Sequence, residues 1–367
     1  MKFDDLKPMT YDKYATDNIA NIGYPAVFEF ELSNICNLEC QMCSGYNSSS
    51  IRKNRDKLPA IRSVYDDTFI EQLKQFIPHL KEARFVGGEP FLIPMHFKIW
   101  DVMVGLNPDI NIFAVTNGTV YNEQVENIVR RGRFDISVSI DAINKELLEK
   151  IRKNVNADTL FKNIKKFRAL CSELGTNFTL SFTIQKENLY ELPKLIKYCN
   201  QLDARIFISY LENPVKYAVS DLPLSEIKDA YAHLSSLDFP AQSPSQMDNR
   251  NGFMAYVKFL ESLIETGGKS NYQELLACKV LPNAKSVLLK ELEACRLEKG
   301  DDEGVKETLE VKLNELSEHF SADDLRKIFS LLVSTNSVEA YTLLLGWSTD
   351  ELIVKCKEAL ANYEFEI

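Results

Sequence analysis

Ser33-Asn34-Ile35-Cys36-Asn37-Leu38-Glu39-Cys40-Gln41-Met42-Cys43-Ser44-Gly45 places three cysteines within eight residues, three residues apart and then two. Soft thiolates bind iron–sulfur clusters and zinc. A closed zinc site takes four ligands, and ordinary electron-transfer clusters are also held by four cysteines. No further Cys or His follows closely here. Three local thiolates therefore point to a cluster with one iron left open to a substrate. A zinc half-site or three inert core thiols are the bland alternatives. The plant-type ferredoxin spacing of four residues and then two is near this run but differs from it.

Working outward, residues 27–32 alternate apolar and polar, as a half-buried strand does. The cysteine run begins just past that strand's C-terminal end. A helix is expected over 66–80, with Phe69, Leu73, Phe76, Ile77 and Leu80 on one face. Strand 83–86, helix 96–106, strand 111–115, helix 121–132, strand 134–140 and a long helical region 144–174 follow. Strand 177–184, helix 190–202 and strand 205–210 complete the series. Strands alternating with helices imply βα units around a parallel sheet. The closed barrel of this kind has eight strands, so six predict an α/β partial (βα)6 barrel, open on one side.

Several short motifs end these strands. Gly87-Gly88-Glu89-Pro90 follows the second; glycines there let backbone approach a ligand, although a plain turn is the commoner meaning. Thr116-Asn117-Gly118 follows the third, where Asn-Gly also reads as a turn. Ser137-Val138-Ser139-Ile140-Asp141 ends the fourth, and Arg152 is placed about three turns into the next helix. Gln185 and Leu211–Glu212 near the last two strand ends are weaker signals.

The run CNLECQMC, followed in order by these motifs, resembles the core of the radical S-adenosylmethionine (radical SAM) superfamily, from about Phe28 to Pro214. The resemblance implies one 4Fe–4S cluster on Cys36, Cys40 and Cys43. It implies that S-adenosylmethionine chelates the open iron and is reductively cleaved to a 5′-deoxyadenosyl radical. A flavodoxin- or ferredoxin-type donor would supply the electron. By the same resemblance the cofactor-binding residues are Met42, near adenine, Gly87, Gly88, Glu89, Pro90, Asn117, Ser139, Asp141 and Arg152, the last toward the cofactor carboxylate. Core filling by Met42 and an exposed helix position for Arg152 are the alternatives. Asn37 and Glu39 are expected to face outward or to hydrogen-bond.

The chain has 367 residues, 45% hydrophobic and 26% charged, ordinary for a globular protein. No apolar run is long enough to span a membrane, and the acidic N-terminus lacks an apolar signal core, so a cytoplasmic location is expected. Eight cysteines there argue for metal binding or packing over disulfides. A formal net charge of −10 argues against nucleic acid as partner.

The character of the chain changes near Asn213. Residues 1–26 read as an extension, 27–214 as the barrel, 215–251 as a linker with a loop at 239–251, and 252–367 as an all-helical C-terminal domain. Ser321–Asp324 and Ser348–Glu351 resemble capping boxes, and Gly267-Gly268 and Gly300 read as helix stops. Many relatives carry a cysteine-rich C-terminal module. Here Cys278, Cys295 and Cys356 are widely spaced, which implies a single cluster. Cys171 and Cys199 read as core residues.

The motif set looks most like the peptide- and protein-modifying branch, so a ribosomally made peptide is the favoured substrate. With about 25 residues before the first strand, a separate leader-binding domain is not expected there. The alternatives are a radical SAM enzyme acting on a small metabolite (amino acid, sugar or nucleoside) and a non-enzymatic iron–sulfur electron-transfer or sensor protein.

Overall fold

The computed structural model describes residues 24–267, 277–279, 283–299, 301–334, 337–362 and 364–366. Six strands form one sheet: β1 (Val27–Phe30), β2 (Glu82–Phe85), β3 (Asn111–Thr116), β4 (Arg133–Ser139), β5 (Phe178–Ile184) and β6 (Arg205–Tyr210). Every neighbouring pair is parallel and the spatial order equals the chain order. β1 and β6 do not pair, so the sheet is an open (βα)6 partial barrel. Along β5 buried and half-buried residues alternate, with Phe178, Leu180, Phe182 and Ile184 inside, the two-residue period of a strand.

The helices of this part are α1 (Ser49–Asn54), α2 (Asp67–Leu73), α3 (Pro94–Leu106), α4 (Glu123–Arg131), α5 (Lys145–Ile151), α6 (Ala157–Leu174), α7 (Leu192–Leu202), α8 (Leu224–Ser235) and α9 (Pro244–Glu265). Their local logic is readable in α4. Asn122 accepts from the Val125 amide, glutamates occupy the first turn and arginines the last, and Val125, Ile128 and Val129 are buried. Caps and end charges both favour the helix. Trp100 of α3 is fully buried and packs edge-on to Phe85 and Phe134; burial of one such side chain stabilises by about 1.5–3 kcal/mol.

Two elements differ from the sequence expectation. The helical region 144–174 is two helices. Asn144 caps α5 and Asn156 caps α6, while Arg152 at φ −105°, ψ 66° leaves the helix between them. The loop expected at 239–251 is largely the start of α9. Ser243 caps it, Pro244 holds its first turn, and the polar composition has a structural use. Asn249 is buried, accepts from the Ile206 amide at 2.8 Å and donates to Ala204 O at 3.0 Å, satisfying the edge of β6.

Packing separates two hydrophobic cores. The first holds the sheet, its helices and also Phe253, Tyr256, Val257, Leu260 and Leu263 of α9. The packing thus puts 253–263 with the barrel, although the sequence reading starts the C-terminal domain at Gly252. The second core lies in α10 (Ala284–Lys299), α11 (Glu303–His319), α12 (Ala322–Ser334), α13 (Ser337–Gly346) and α14 (Thr349–Asn362). A short parallel ladder joins β7 (Ala277–Lys279) to β8 (Glu364–Glu366), so this region is not purely helical. Both capping boxes are present: Ser321 accepts from the Asp324 amide, and Ser348 from the Glu351 amide. Gly267 follows α9 in the left-handed region, whereas Gly268, Gly300 and the Cys278 side chain lie outside the described residues.

Candidate metal and cofactor site

The cysteine run leaves the C-terminal end of β1, the end of a βα barrel where sites assemble. Leu38 anchors it in the core. The Glu39 amide donates to Lys153 O at 3.0 Å and the Gln41 amide to Ile151 O at 2.8 Å, lashing the run to the break after α5. The other flank is held by three serines that the sequence reading did not single out. Ser48 caps α1 and donates to Leu38 O at 2.6 Å, while Ser49 and Ser50 donate to Cys36 O at 3.2 and 2.8 Å. As expected, Asn37 and Glu39 are polar contacts. Asn37 donates to Thr119, and Glu39 accepts from Lys153, Asn54 and Asn154, which hold its carboxyl down at about 2.

The glycine pair supports the same run. Gly87 and Gly88 both have positive φ, at 75° and 52°. A Cβ on Gly88 would lie 2.5 Å from Ile35 O and 3.0 Å from Ser33 O. The Glu89 amide donates to Ile35 O at 2.7 Å. So this motif is where β2 meets the cysteine run, backbone against backbone. Pro90 is buried and opens a short turn that Glu89 caps. Glu89 itself is fully buried. It accepts from Thr116 Oγ1 at 2.6 Å, from the Asn117 amide at 2.6 Å and from the Phe91 amide at 3.1 Å. Burial pushes its carboxyl up to about 7 against those hydrogen bonds.

Asn117 forms the turn and also reaches the cysteine run. Its Oδ1 accepts from the Thr119 amide at 2.9 Å, forming the turn, and its Nδ2 reaches Cys36 Sγ at 3.7 Å. Ser139 is half-buried at the end of β4, and Met42 is half-buried beside Cys43. Arg152 corrects the sequence placement. It ends α5 instead of lying three turns inside a longer helix, and it is buried with its Nε 2.7 Å from Asp141 Oδ2. Burial opposes its charge, but Asp141 and Cys40 hold its pKa above the usual value. Gln185 is fully buried after β5.

Burial raises all three thiols, Cys40 up to about 12, and Cys36 and Cys43 each add repulsion at Cys40. The three lie on one short run and are free of disulfides, and the Arg152 cation favours the ionised form of Cys40 and Cys43. A coordinating metal deprotonates such thiols outright. Among the described residues no three His, Cys, Asp or Glu side chains converge tightly on one point, as a single ion needs. Cluster ligands bind different irons and need no such convergence. Amide donors to the Cys36 sulfur, from Leu38 N at 3.5 Å and Asn117, complete a donor set that fits a 4Fe–4S cluster.

Residues 30–199 match the model of the Radical SAM superfamily. The chain carries a radical SAM domain. The GTP 3′,8-cyclase of Helicobacter pylori (strain ATCC 700392 / 26695) is 24% identical over 214 residues, 58% of this chain and 64% of that protein. The AdoMet-dependent heme synthase of Methanosarcina barkeri (strain Fusaro / DSM 804) is 28% identical over 192 residues, 51% of this chain and 50% of that protein. The chain thus spans less than two-thirds of the length of either relative. Among solved structures, Streptococcus suis SuiB bound to S-adenosylmethionine overlays with a TM-score of 0.43 at 14% identity, covering 58% of this chain and 47% of that one. The matched residues run from the end of β1 into α7; β6, α8, α9 and the second core lie beyond them.

Proposed function

We propose that this chain is a radical SAM enzyme that modifies a ribosomally made peptide. The observation that carries the enzymatic part is the set of three free thiols on one short run after β1, with the buried Arg152 cation acting on Cys40 and Cys43 and Gly88 packed against the backbone that leads into Cys36. When bound, the reduced cluster and S-adenosylmethionine supply a 5′-deoxyadenosyl radical for hydrogen abstraction. The chain's own residues bind and orient. Cys36, Cys40 and Cys43 hold the cluster. By the family resemblance the Gly87–Pro90 turn, Asn117, Ser139 and Asp141, at the ends of their strands, would meet the cofactor, and Arg152 would offer it a cation.

The peptide reading is supported by the motif sequence and by shape. Among the described residues two adjoining hollows lie along edge strand β1 and the residues that follow it, as far as Asn34. One, of about 520 Å³, is lined by Phe28, Phe69 and Phe76; the next, of about 340 Å³, by Ser33, Asn34 and Val64; they share Glu31, Leu32 and Tyr65. Two adjoining surface hollows with apolar and polar lining side by side suit an extended chain. Similarity to GTP 3′,8-cyclases favours the second reading, a small metabolite as substrate. Both readings use a flavodoxin- or ferredoxin-type electron donor and a cytoplasmic setting; no helix among the described residues is long and apolar enough to cross a membrane.

The test is anaerobic incubation with dithionite and S-adenosylmethionine. Formation of 5′-deoxyadenosine is expected; its absence from cluster-loaded protein overturns the enzymatic reading. Mass spectrometry of candidate precursor peptides and of GTP in the same reaction separates the two substrate classes.

A further inference from the structure

The C-terminal helical unit touches the barrel at the back of the cysteine run. Arg52 lies in the last turn of α1 with its side chain 5% exposed, and its Nη2 donates to Glu351 Oε1 at 2.8 Å. Its Nε donates to Pro59 O. The other oxygen of Glu351 accepts from the Ser348 amide at 2.9 Å, so a single carboxylate caps α14 and holds Arg52. Beside it Tyr46 packs on Trp347 with ring centroids 6.2 Å apart, and Lys355 Nζ sits 5.5 Å from the Tyr46 ring. The void left in this seam is about 10 Å³, room for about one water.

The seam leads straight to the thiols. Gly45 follows Cys43 by two residues. A Cβ there would lie 2.9 Å from Arg52 Cα and 2.1 Å from Asp56 Oδ2. The chain after Cys43 is therefore pressed onto α1 at the residue that Glu351 holds. At the other end of α1, Ser49 and Ser50 hold Cys36 O. A shift of this one short helix moves the supports of two of the three cysteines together. Burial works against the Glu351 charge, but the Ser348 amide and Arg52 keep its carboxyl below the usual range.

We propose that Glu351 is a positioning residue for the metal-binding run: through Arg52 and α1, the C-terminal helical unit sets where Cys36 and Cys43 sit. The inference rests on the cluster reading above and assigns the appendage a duty toward the cluster in addition to any toward substrate.

The experiment uses the full chain and the variants Glu351→Gln, Arg52→Gln and the double. In metal-free protein, deuterium uptake over residues 44–58 should quicken several-fold in Glu351→Gln while β3 and β4 keep the wild-type rate. In cluster-loaded, dithionite-reduced protein, the g values of the electron paramagnetic resonance spectrum should shift. The two single changes remove one shared contact, so the effect of the double should fall short of the sum of the singles. Unchanged g values in Glu351→Gln, even with faster exchange, would reduce the pair to a packing contact and overturn the inference. Additive effects would overturn the route through Arg52. Wild-type protein that shows no reduced-cluster signal would instead overturn the cluster reading itself.

Discussion

Arg152 and Asp141 form an ion pair of 2.7 Å, with the arginine side chain 9% exposed and the aspartate fully buried. Asp141 also accepts from the Thr183 amide at 3.1 Å, which fixes it between β4 and β5. The guanidinium is thus held beside the thiols by a carboxylate that is itself held by the sheet. Pairing makes the cation affordable inside the protein and leaves its position no freedom.

Breaking a buried pair leaves an uncompensated charge. Asp141→Asn and Arg152→Ala should each lower unfolding stability by about 3–5 kcal/mol, read by urea denaturation. Arg152→Ala should also weaken S-adenosylmethionine binding by roughly 1.5–3 kcal/mol, the range for a charged hydrogen bond. Cofactor affinity equal to wild type by titration would confine Arg152 to its pair with Asp141.

The thiols give a second prediction. Protein purified without oxygen should hold about four irons and four sulfides per chain, and Cys36→Ala, Cys40→Ala or Cys43→Ala should abolish this. Cys171→Ala and Cys199→Ala, which alter buried core thiols, should not. Because burial keeps the three ligands protonated, with Cys40 up to about 12, loading must release protons. Apparent iron affinity should therefore rise from pH 7 to pH 9. Iron near eight per chain, or zinc in its place, would sink the single-cluster assignment.

Much of this architecture was legible because the strands obey a two-residue period and the helices between them carry apolar faces. The expected strand over 205–210 matches β6 residue for residue. What failed was decided by tertiary contacts. At the break Arg152 turns inward onto Asp141, a distant partner that composition cannot show. The polar stretch before Asn251 reads as a loop, yet Asn249 needs that polarity to satisfy β6. At the site, the cysteine spacing and the Gly-Gly motif stand out in sequence. Ser48–Ser50 and the pairing of Arg52 with Glu351 do not, since nothing local marks partners 299 positions apart.

Glu89 gives a pH prediction. Its folded pKa is raised to about 7, mainly by burial. Its contribution is fully present below the unfolded value and is lost as pH rises through about 7, since the folded state binds more protons in that window. Metal-free protein should lose on the order of 3 kcal/mol of stability between pH 4.5 and pH 7 from this group. Glu89→Gln should remove that slope. It should also cost about 1–3 kcal/mol at low pH, because backbone amides of Asn117 and Phe91 donate to different oxygens and a Gln NH2 must face one of them. Equal pH slopes in wild type and variant, by urea denaturation, would remove Glu89 as the source.

Gly88 and Gly175 separate close approach from backbone conformation. Both have positive φ, 52° and 67°, but a Cβ meets the backbone of residues 33–35 at Gly88 and nothing within 4 Å at Gly175. Gly175→Ala should cost about 1 kcal/mol from conformation alone. Gly88→Ala should cost more and should also lower iron content, since the clash displaces the chain leading into Cys36. Equal iron content in the two variants would show that the run adapts.

The final prediction concerns where the chain can be cut. Phe253, Tyr256, Leu260 and Leu263 belong to the barrel's core, and the Ala284–Cys356 residues form a core of their own. A chain ending at Gly267 keeps the first core whole. A chain ending at Phe239 strips those four side chains from it, and loss of a single large core side chain already costs about 2–5 kcal/mol. The longer piece should melt cooperatively by circular dichroism and the shorter should not. The longer piece also loses Glu351, leaving Arg52 without its carboxylate. It should therefore fold yet bind its cluster less firmly than the full chain, seen as faster iron release to a chelator. A 267-residue piece that retains iron as the full chain does would free the cysteine run from any dependence on α14.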